Sequence, residues 1–138
     1  MFEKGKAFVM AGLLLDQKDG NPAVVLHLLC QGIENILKAM LLRIDYAHYR
    51  PRLKNIGHNL LKCAAAARTA SGLHLYLFET QKELAQLDQL YRVHLLRYAG
   101  PLDIFVHPGK IPSRRVMRHT GALMMYLEST SYFAQNRV

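Results

Sequence analysis

Apolar residues recur at spacings of three and four along most of this chain, which is the period of one face of an α-helix. The longest run of this kind extends from Val25 to Ile44, over about six turns. Asn21 and Pro22 precede it and suit the N-cap and first helical positions, because asparagine accepts N-terminal backbone N–H groups and proline has none to leave unpaired. The pattern predicts a long amphipathic helix, and its polar face carries His27, Gln31, Glu34 and Lys38.

Two further helices are predicted in the first half of the chain. One covers residues 3–17, and its inward face would consist of Phe8, Ala11, Leu14 and Leu15. The other starts near Pro51, whose fixed φ is already helical, and continues to Arg68. At about 100° per residue, its inward face would consist of Leu53, Ile56, Leu60, Cys63, Ala64 and Ala67.

The second half of the chain repeats the helical pattern around an interruption. Thr80 and Glu83 have the spacing of a capping box, in which each side chain bonds the other residue's backbone N–H, and the helix they open continues to Tyr98. Three prolines within residues 101–112 exclude a continuous helix there, and Ser113 then caps a last helix. Strand-like alternation is nearly absent. The fold is therefore predicted to be an all-α, up-and-down bundle of about five helices.

Composition indicates the environment in which the protein is expected to work. The 138 residues fit a single domain, 1–138, with enough apolar side chains for a core. Cys30 and Cys63 lie within apolar helical patterns and lack CxxC spacing, which favours a reducing, cytoplasmic compartment. No run approaches the roughly 18 apolar residues of a membrane span. The seven histidines show no metal-ligand spacing, so neither a metal nor another cofactor is expected.

The net charge of +8 is concentrated in two parts of the chain. Residues 1–48 and 71–100 each contain equal numbers of basic and acidic side chains. Residues 49–70 contain five Lys or Arg and no acid, and residues 101–138 contain five against two. Segregated positive charge is typical of a protein that neutralises phosphates, because each basic contact releases condensed counterions. The alternative is a solvated basic face without a ligand.

His58 lies in the more basic of these segments. The helical wheel groups it, opposite the inward face, with Lys54, Asn55 and Lys62. It is either an ordinary surface histidine or an acid–base group, since an imidazole titrates near neutrality. Glu34 is expected to orient His58 or Arg52 across a pair of helices. The alternative is that the polar face that carries Glu34 is only the solvent-exposed side of an amphipathic helix.

Two other groups of side chains are candidates for contacts with nucleic acid. Arg114, Arg115 and Arg118 cluster in the first turns of the last helix. The helix dipole disfavours cations at that end, so another group is expected to hold them there. Tyrosines at helical spacing, such as Tyr91, are either core residues or platforms on which unpaired bases stack.

Three segments, taken in order, resemble the HEPN domain, a family named for its occurrence in higher eukaryotes and prokaryotes. They are HLLCQGIENILKAML at 27–41, KNIGHNL at 54–60 and ELAQLDQLYRVHLLRY at 83–98. The resemblance covers nearly the whole chain and implies an all-α bundle, commonly a symmetric homodimer. Many members are metal-independent ribonucleases of toxin–antitoxin, defence or RNA-processing systems. Some of these toxins are silenced by a nucleotidyltransferase-type antitoxin, and other members are non-catalytic binding modules.

In catalytic members of the family an arginine, several intervening residues and a histidine form the site, usually with a copy from each protomer across a groove. Carried onto this sequence, the motif falls on Arg52 and His58, with LKNIG between them. The resemblance implies that His58 exchanges a proton with a ribose 2′-OH or a leaving 5′-oxygen, and that Arg52 stabilises charge at phosphorus. On a regular helix the two side chains point about 120° apart. They converge only if the first turn is irregular or a partner chain completes the site.

Two interpretations of function remain open. In the first, the protein binds RNA or a nucleotide in a basic groove, and Arg52 and His58 cut RNA. The expected ligand contacts are Arg50, Lys54, Asn55, Asn59, Lys62, Arg114, Arg115 and Arg118. In the second, the protein is a non-catalytic dimeric helical interaction module, because catalytic members usually have a polar residue where this chain has Leu53, and silenced toxins a tyrosine where it has Leu60. Strong salt dependence of nucleic-acid binding would favour the first.

Overall fold

The computed structural model describes residues 1–92 and 112–130, which are helical with connecting turns and contain no strand. In chain order the elements are α1 (Phe2–Gln17), α2 (Pro22–Ile44), α3 (Tyr46–Tyr49), a 3-10 turn (Arg50–Arg52), α4 (Leu53–Ile56), α5 (Leu60–Ser71), α6 (Glu79–Arg92) and α7 (Arg114–Ser129). The prediction of an all-α bundle is confirmed. The predictions for residues 93–98 and 101–111 lie outside the described residues.

Helix α2 is the centre of the fold, and α1, α5 and α6 pack against it. Its predicted start is confirmed, because the Asn21 side chain accepts hydrogen bonds from the backbone N–H groups of Ala23 and Val24. By length and composition alone, α2 is long and apolar enough to cross a membrane, although polar residues interrupt its apolar run. However, 67% of its most apolar window is buried inside the fold, as expected for a core helix.

The face that α1 turns toward α2 differs from the predicted one. Leu14 is 59% exposed, whereas Gly5, Val9 and Gly12 are buried. These glycines let the two helix backbones approach closely, together with Gly32 of α2. A Cβ atom on Gly32 would lie only 2.3 Å from Val9 Cγ2 and 2.9 Å from the Gly5 carbonyl oxygen. The face that α1 turns toward α2 is therefore determined by close packing of the two backbones and not by the larger apolar side chains of α1.

The single helix predicted from Pro51 to Arg68 is interrupted at Gly57. Gly57 has φ 58° and ψ −138°, a conformation that L-residues rarely adopt, and it ends α4. Asn59 then acts as N-cap of α5, and its side chain accepts the Lys62 N–H at 2.9 Å. The predicted inward face is confirmed within α5, where the buried residues are Leu60, Cys63, Ala64 and Ala67.

Helix α6 carries two buried carboxylates that bond to the N-terminal backbone of neighbouring helices. The predicted capping box is wrong, because α6 begins at Glu79 and Thr80 lies inside its first turn. Instead, Glu83 accepts the Val116 backbone N–H of α7 at 3.0 Å. Asp88, which is 0% exposed, accepts the Leu60 backbone N–H of α5 at 2.7 Å. These carboxylates satisfy N–H groups that a helix start leaves without a partner inside its own helix.

The segment between α5 and α6 is an irregular apolar link that is anchored by Tyr76. The Tyr76 hydroxyl lies 2.7 Å from the Thr120 hydroxyl of α7, and its backbone N–H donates to His119 Nε2 at 3.3 Å. Helix α7 begins after Ser113 as predicted, although the Ser113 side chain makes no capping hydrogen bond. The buried residues of α7 recur at spacings of three and four, and they are Val116, Thr120, Leu123, Met124 and Leu127.

Candidate functional site

A buried carboxylate, that of Glu34, connects α2 with α6 and with the turn before α5. Glu34 is 7% exposed, and its Oε1 accepts a hydrogen bond from Lys38 Nζ at 2.6 Å. Its Oε2 lies 2.9 Å from His58 Nδ1 and accepts the Tyr91 hydroxyl at 2.5 Å. Glu34 therefore connects α2 with α6 and with the turn that precedes α5. Charge-assisted hydrogen bonds of this kind stabilise a buried carboxylate that would otherwise be costly to ionise.

The environment of Glu34 favours its ionised form. Burial acts to raise the pKa of Glu34, but the hydrogen bonds from Lys38, Tyr91 and His58 outweigh it and hold the pKa below its ordinary value. An ionised carboxylate is only an acceptor, so the hydrogen bond to His58 requires a proton on Nδ1. In the neutral ring the lone pair then lies on Nε2, as in the histidine of a Ser-His-Asp triad.

His58 is presented at the surface by the turn around Gly57. Its side chain is 48% exposed, although Nδ1 is held by the buried Glu34. The imidazole also meets the Tyr91 ring edge-on, with 5.8 Å between ring centroids. The ring is therefore oriented by two buried groups and remains accessible from outside, which is the arrangement that an acid–base histidine needs.

Arg52 lies in the 3-10 turn, so the irregular backbone that convergence with His58 requires is present. Its Nη1 donates to the backbone carbonyl oxygen of His48 at 2.5 Å. Within residues 1–92 and 112–130, Arg52 and His58 do not hydrogen-bond to each other. One chain thus places both residues in one exposed segment without joining them directly.

Most of the other predicted contacts in this segment are exposed. Lys54 and Asn55 are exposed on α4, and Lys62 is exposed on α5. Arg50 donates from Nε to the Tyr46 hydroxyl at 3.2 Å. Lys62 makes no ion pair with any residue that the structure describes. The basic side chains are therefore available to an anionic ligand, and none of them is neutralised by a neighbouring acid in the described ranges.

The arginines of α7 form a separate group. Arg115 lies 3.3 Å from the Glu83 carboxylate, which also caps α7 and so explains how a cation is tolerated at this helix start. Arg114 and Arg118 are exposed. No hydrogen bond or ion pair between described residues joins these arginines to the segment 50–62.

One partner of Glu34, Tyr91, was not recognised as such from the sequence. Tyr91 has the helical spacing of a core residue, and its role as a donor to Glu34 follows only from its position beside α2. A buried tyrosine usually finds a partner for its hydroxyl, which is the signal that could have indicated this contact. Lys38 lies on the predicted polar face of α2, four residues after Glu34, and the structure pairs the two side chains. The described residues include no group of three or more His, Cys, Asp or Glu arranged to hold a metal ion.

No protein family, curated protein or solved structure matches this sequence.

Proposed function

We propose that this chain is a HEPN-like protein that binds RNA through the basic segment 50–62 and cleaves it without a metal, with His58 as the acid–base group. The observation that carries the proposal is the 2.9 Å contact between His58 Nδ1 and Glu34, combined with 48% exposure of the His58 side chain. An ordinary surface histidine needs no buried carboxylate. A buried carboxylate is needed by an imidazole that must keep one nitrogen protonated and present the other nitrogen to a substrate.

The proposed reaction is an intramolecular transesterification of RNA. His58 removes the proton of a ribose 2′-OH, the 2′-oxygen bonds to phosphorus, and the bond from phosphorus to the 5′-oxygen breaks. The leaving 5′-oxygen takes up a proton, so the products are a 2′,3′-cyclic phosphate and a 5′-hydroxyl. Arg52 supplies fixed N–H donors to the charge that accumulates on the phosphoryl oxygens.

The geometry of this displacement supports a proposed homodimer. The attacking and leaving oxygens lie on opposite sides of phosphorus, so a single imidazole cannot contact both at once. A second copy of the chain would supply a second His58 as the acid, and it would bring another Arg52 to the phosphate. The lack of a hydrogen bond between Arg52 and His58 within one chain agrees with such an arrangement.

The segment charge supports RNA as the ligand. Residues 49–70 carry five basic side chains and no acidic one, and their proposed phosphate contacts are Arg50, Arg52, Lys54 and Lys62, with Asn55 and Asn59 as neutral donors. Arg114, Arg115 and Arg118 of α7 are proposed to contact more distant phosphates. A cytoplasmic toxin with a nucleotidyltransferase-type antitoxin is the biological setting that the family resemblance suggests.

Cleavage of a mixed RNA pool in EDTA tests the catalytic proposal. Wild type, His58→Ala and Arg52→Ala are compared with His74→Ala, because His74 is another exposed histidine and lies outside the basic segment. Wild type and His74→Ala should produce 2′,3′-cyclic phosphate ends, and the other two variants should lose activity by 10²-fold or more, about the size of general acid–base effects. Equal cutting by all four proteins, or no cutting by wild type, would remove His58 from catalysis.

The alternative is a non-catalytic dimeric helical interaction module. This alternative is favoured by the position of Arg52, whose guanidinium donates to the His48 carbonyl oxygen and, within the described ranges, makes no hydrogen bond to His58. RNA binding at several salt concentrations separates the alternatives. If the segment binds RNA, log K should fall steeply with log salt, and each removed phosphate contact should reduce the slope by about 0.7. Binding that ignores salt, or that is unchanged when Arg50, Lys54 and Lys62 are replaced by Gln, would support the interaction module.

A further inference from the structure

A cleft between α5 and α6 lies apart from the Glu34–His58 pair. Its volume is about 310 Å³, which is within the range of small-molecule sites. Neither Glu34 nor His58 lines it, although Asn59 at its edge is the chain neighbour of His58. The cleft shares Asn59, Leu61 and Lys62 with the segment proposed to bind RNA, and the rest of its lining lies outside that segment.

Three basic side chains line this cleft, namely Lys62, Arg68 and Arg92. Lys62 is exposed and has no acidic partner within the described ranges. Arg68 uses one of its N–H groups to bond the Leu75 carbonyl oxygen at 3.0 Å, which leaves four N–H donors and fixes the side chain in place. Arg92 is 47% exposed. Arg92 is paired with Asp88, whereas Lys62 and Arg68 have no acidic partner among the described residues, so the cluster keeps an excess of positive charge that suits an anion.

The charge of the cleft indicates which anion. The one acidic residue that lines it is Asp88, which lies at 2.9 Å from Arg92 Nε but makes no well-directed hydrogen bond through that Oδ2 atom. Three cations against one carboxylate leave a net charge of +2. A phosphate monoester carries about −1.5 to −2 at neutral pH, whereas a phosphodiester carries a single negative charge. The cleft therefore matches a terminal phosphate better than an internal RNA linkage.

The rest of the cleft is suited to the organic part of such a ligand. Its apolar lining includes Leu61, Ala64, Ala65 and Leu84, together with the aromatic Tyr76. The small alanine side chains leave room for a flat or compact body against the side of α5. The amides of Asn59 and Gln81 stand at the same site and offer both donors and acceptors to a heterocycle. Inorganic phosphate would contact the basic side chains but would leave the apolar lining exposed to solvent.

We propose that the cleft between α5 and α6 binds a phosphate monoester attached to a small apolar or heterocyclic body, with Lys62, Arg68 and Arg92 around the phosphate. The same chemistry is offered by a free organic phosphate and by the phosphorylated end of an RNA strand. The proposal does not require cleavage by His58, because the ligand can be bound in the absence of RNA.

Chemical-shift titration of the full chain with small probes tests the site directly. Phenyl phosphate carries the monoester and an apolar body, inorganic phosphate lacks the body, and methyl phenyl phosphate is a diester. Phenyl phosphate should shift amides of α5 and α6 and bind about tenfold more tightly than either other probe, the size of one lost charge-assisted hydrogen bond or a small apolar contact. Equal binding of the three probes, or shifts scattered over the surface, would overturn the proposal.

Three variants make the test specific to the cleft. Lys62→Gln removes an exposed cation and should weaken phenyl phosphate binding about tenfold. Ala65→Leu fills the cleft without a change of charge and should abolish binding, and Ala65 is exposed, so the fold should tolerate it. Lys18→Gln removes the same charge from an exposed site outside the cleft and should leave binding unchanged. If Lys62→Gln and Lys18→Gln behave alike, general charge explains the binding and the site is wrong.

Short RNA strands then distinguish the two sources of the phosphate. In the His58→Ala background, strands with 5′-phosphate, 3′-phosphate or only hydroxyl ends are compared. A preference for one phosphorylated end that Lys62→Gln removes assigns the cleft to a strand end. Binding of phenyl phosphate with no end preference assigns it to a free organic phosphate. Because the first titration contains no RNA, loss of cleavage with intact phenyl phosphate binding would reject the ribonuclease and keep this site.

Discussion

The hydroxyl of Tyr91 donates to the same oxygen of Glu34 that accepts the Nδ1 proton of His58. Two donors on one carboxylate oxygen, with Lys38 on the other, leave that carboxylate little freedom to turn. The orientation of the exposed imidazole is therefore determined from inside the core. Pre-organisation of this kind is what a proton-transfer group requires.

Replacing Glu34→Gln should lower the RNA cleavage rate and leave RNA affinity nearly unchanged. Glutamine has almost the shape of glutamate, but its amide can present N–H to Nδ1 and reverse the tautomer of His58. We expect kcat to fall by about 10²-fold or more. The double variant with His58→Ala should be no slower than His58→Ala alone, because both changes act on one group. Parallel loss of kcat and RNA affinity in a folded protein would contradict this positioning role.

The same carboxylate should make stability depend on pH in the acidic range. The pKa of Glu34 is below its ordinary value in the folded protein, so its contribution is present above about pH 4.3 and is lost as the pH falls through the folded pKa. Urea unfolding of wild type and Glu34→Gln from pH 3 to 6 measures this. The stability advantage of wild type should grow as the pH rises, and an advantage that stays constant would show that Glu34 is not preferentially ionised.

Asp88 provides a control with the opposite sign. Burial raises the pKa of Asp88, and the hydrogen bonds and Arg92 only partly oppose this effect. A raised pKa means that stability is largest below the ordinary pKa and decreases as the pH rises through the folded value. The difference between wild type and Asp88→Asn should therefore shrink over the pH range in which the Glu34 difference grows.

His119 should produce a second pH effect nearer neutrality. Burial lowers the pKa of His119, and its Nε2 accepts the Tyr76 backbone N–H, which requires the neutral ring. The stabilising contribution is complete above about pH 6.5 and is lost as the pH falls below it. The difference in unfolding free energy between wild type and His119→Gln should decrease from pH 7.5 to pH 5. A difference that does not vary over this interval would contradict the neutral assignment.

The close approach of α1 and α2 gives a matched pair of glycine substitutions. Gly32→Ala would place Cβ 2.3 Å from Val9 Cγ2, so we expect a loss of about 1–3 kcal/mol in unfolding free energy from overpacking. A Cβ on Gly121, inside α7, meets nothing within 4 Å. Gly121→Ala should therefore raise the unfolding free energy by about 0.5–1 kcal/mol. Thermal or urea unfolding checks both signs, and a harmless Gly32→Ala would contradict the close packing.

The sequence was most informative where a helix has one clearly apolar side. The inward residues of α5 and α7 follow directly from their spacing. Helix α1 is apolar around most of its circumference, so spacing could not select a face, and the two buried glycines that do so carry no hydrophobic signal. The helix break at Gly57 was also missed, since a glycine followed by His58 and Asn59 fits a continuing helix as well as a turn.

Of the contacts between distant parts of the chain, some were predictable from the sequence and others were not. Glu34 was expected to orient His58 or Arg52 across a pair of helices, and the structure joins it to His58. The carboxylate of Glu83 was assigned to its own helix start, which is the local solution, whereas the fold brings α7 close enough to use it. Local rules cannot distinguish these outcomes, because each gives Glu83 a backbone N–H at a helix start, that of Thr80 in α6 or that of Val116 in α7.

The two buried carboxylates of α6, Glu83 and Asp88, also affect how this protein unfolds locally. Glu83 completes the start of α7, and Asp88 completes the start of α5. If α6 detaches, both neighbouring helices lose a buried acceptor at their first turn, where fraying begins. We therefore expect α5, α6 and α7 to open together as one cooperative unit in native-state hydrogen exchange, with the Leu60 and Val116 amides giving the same opening free energy.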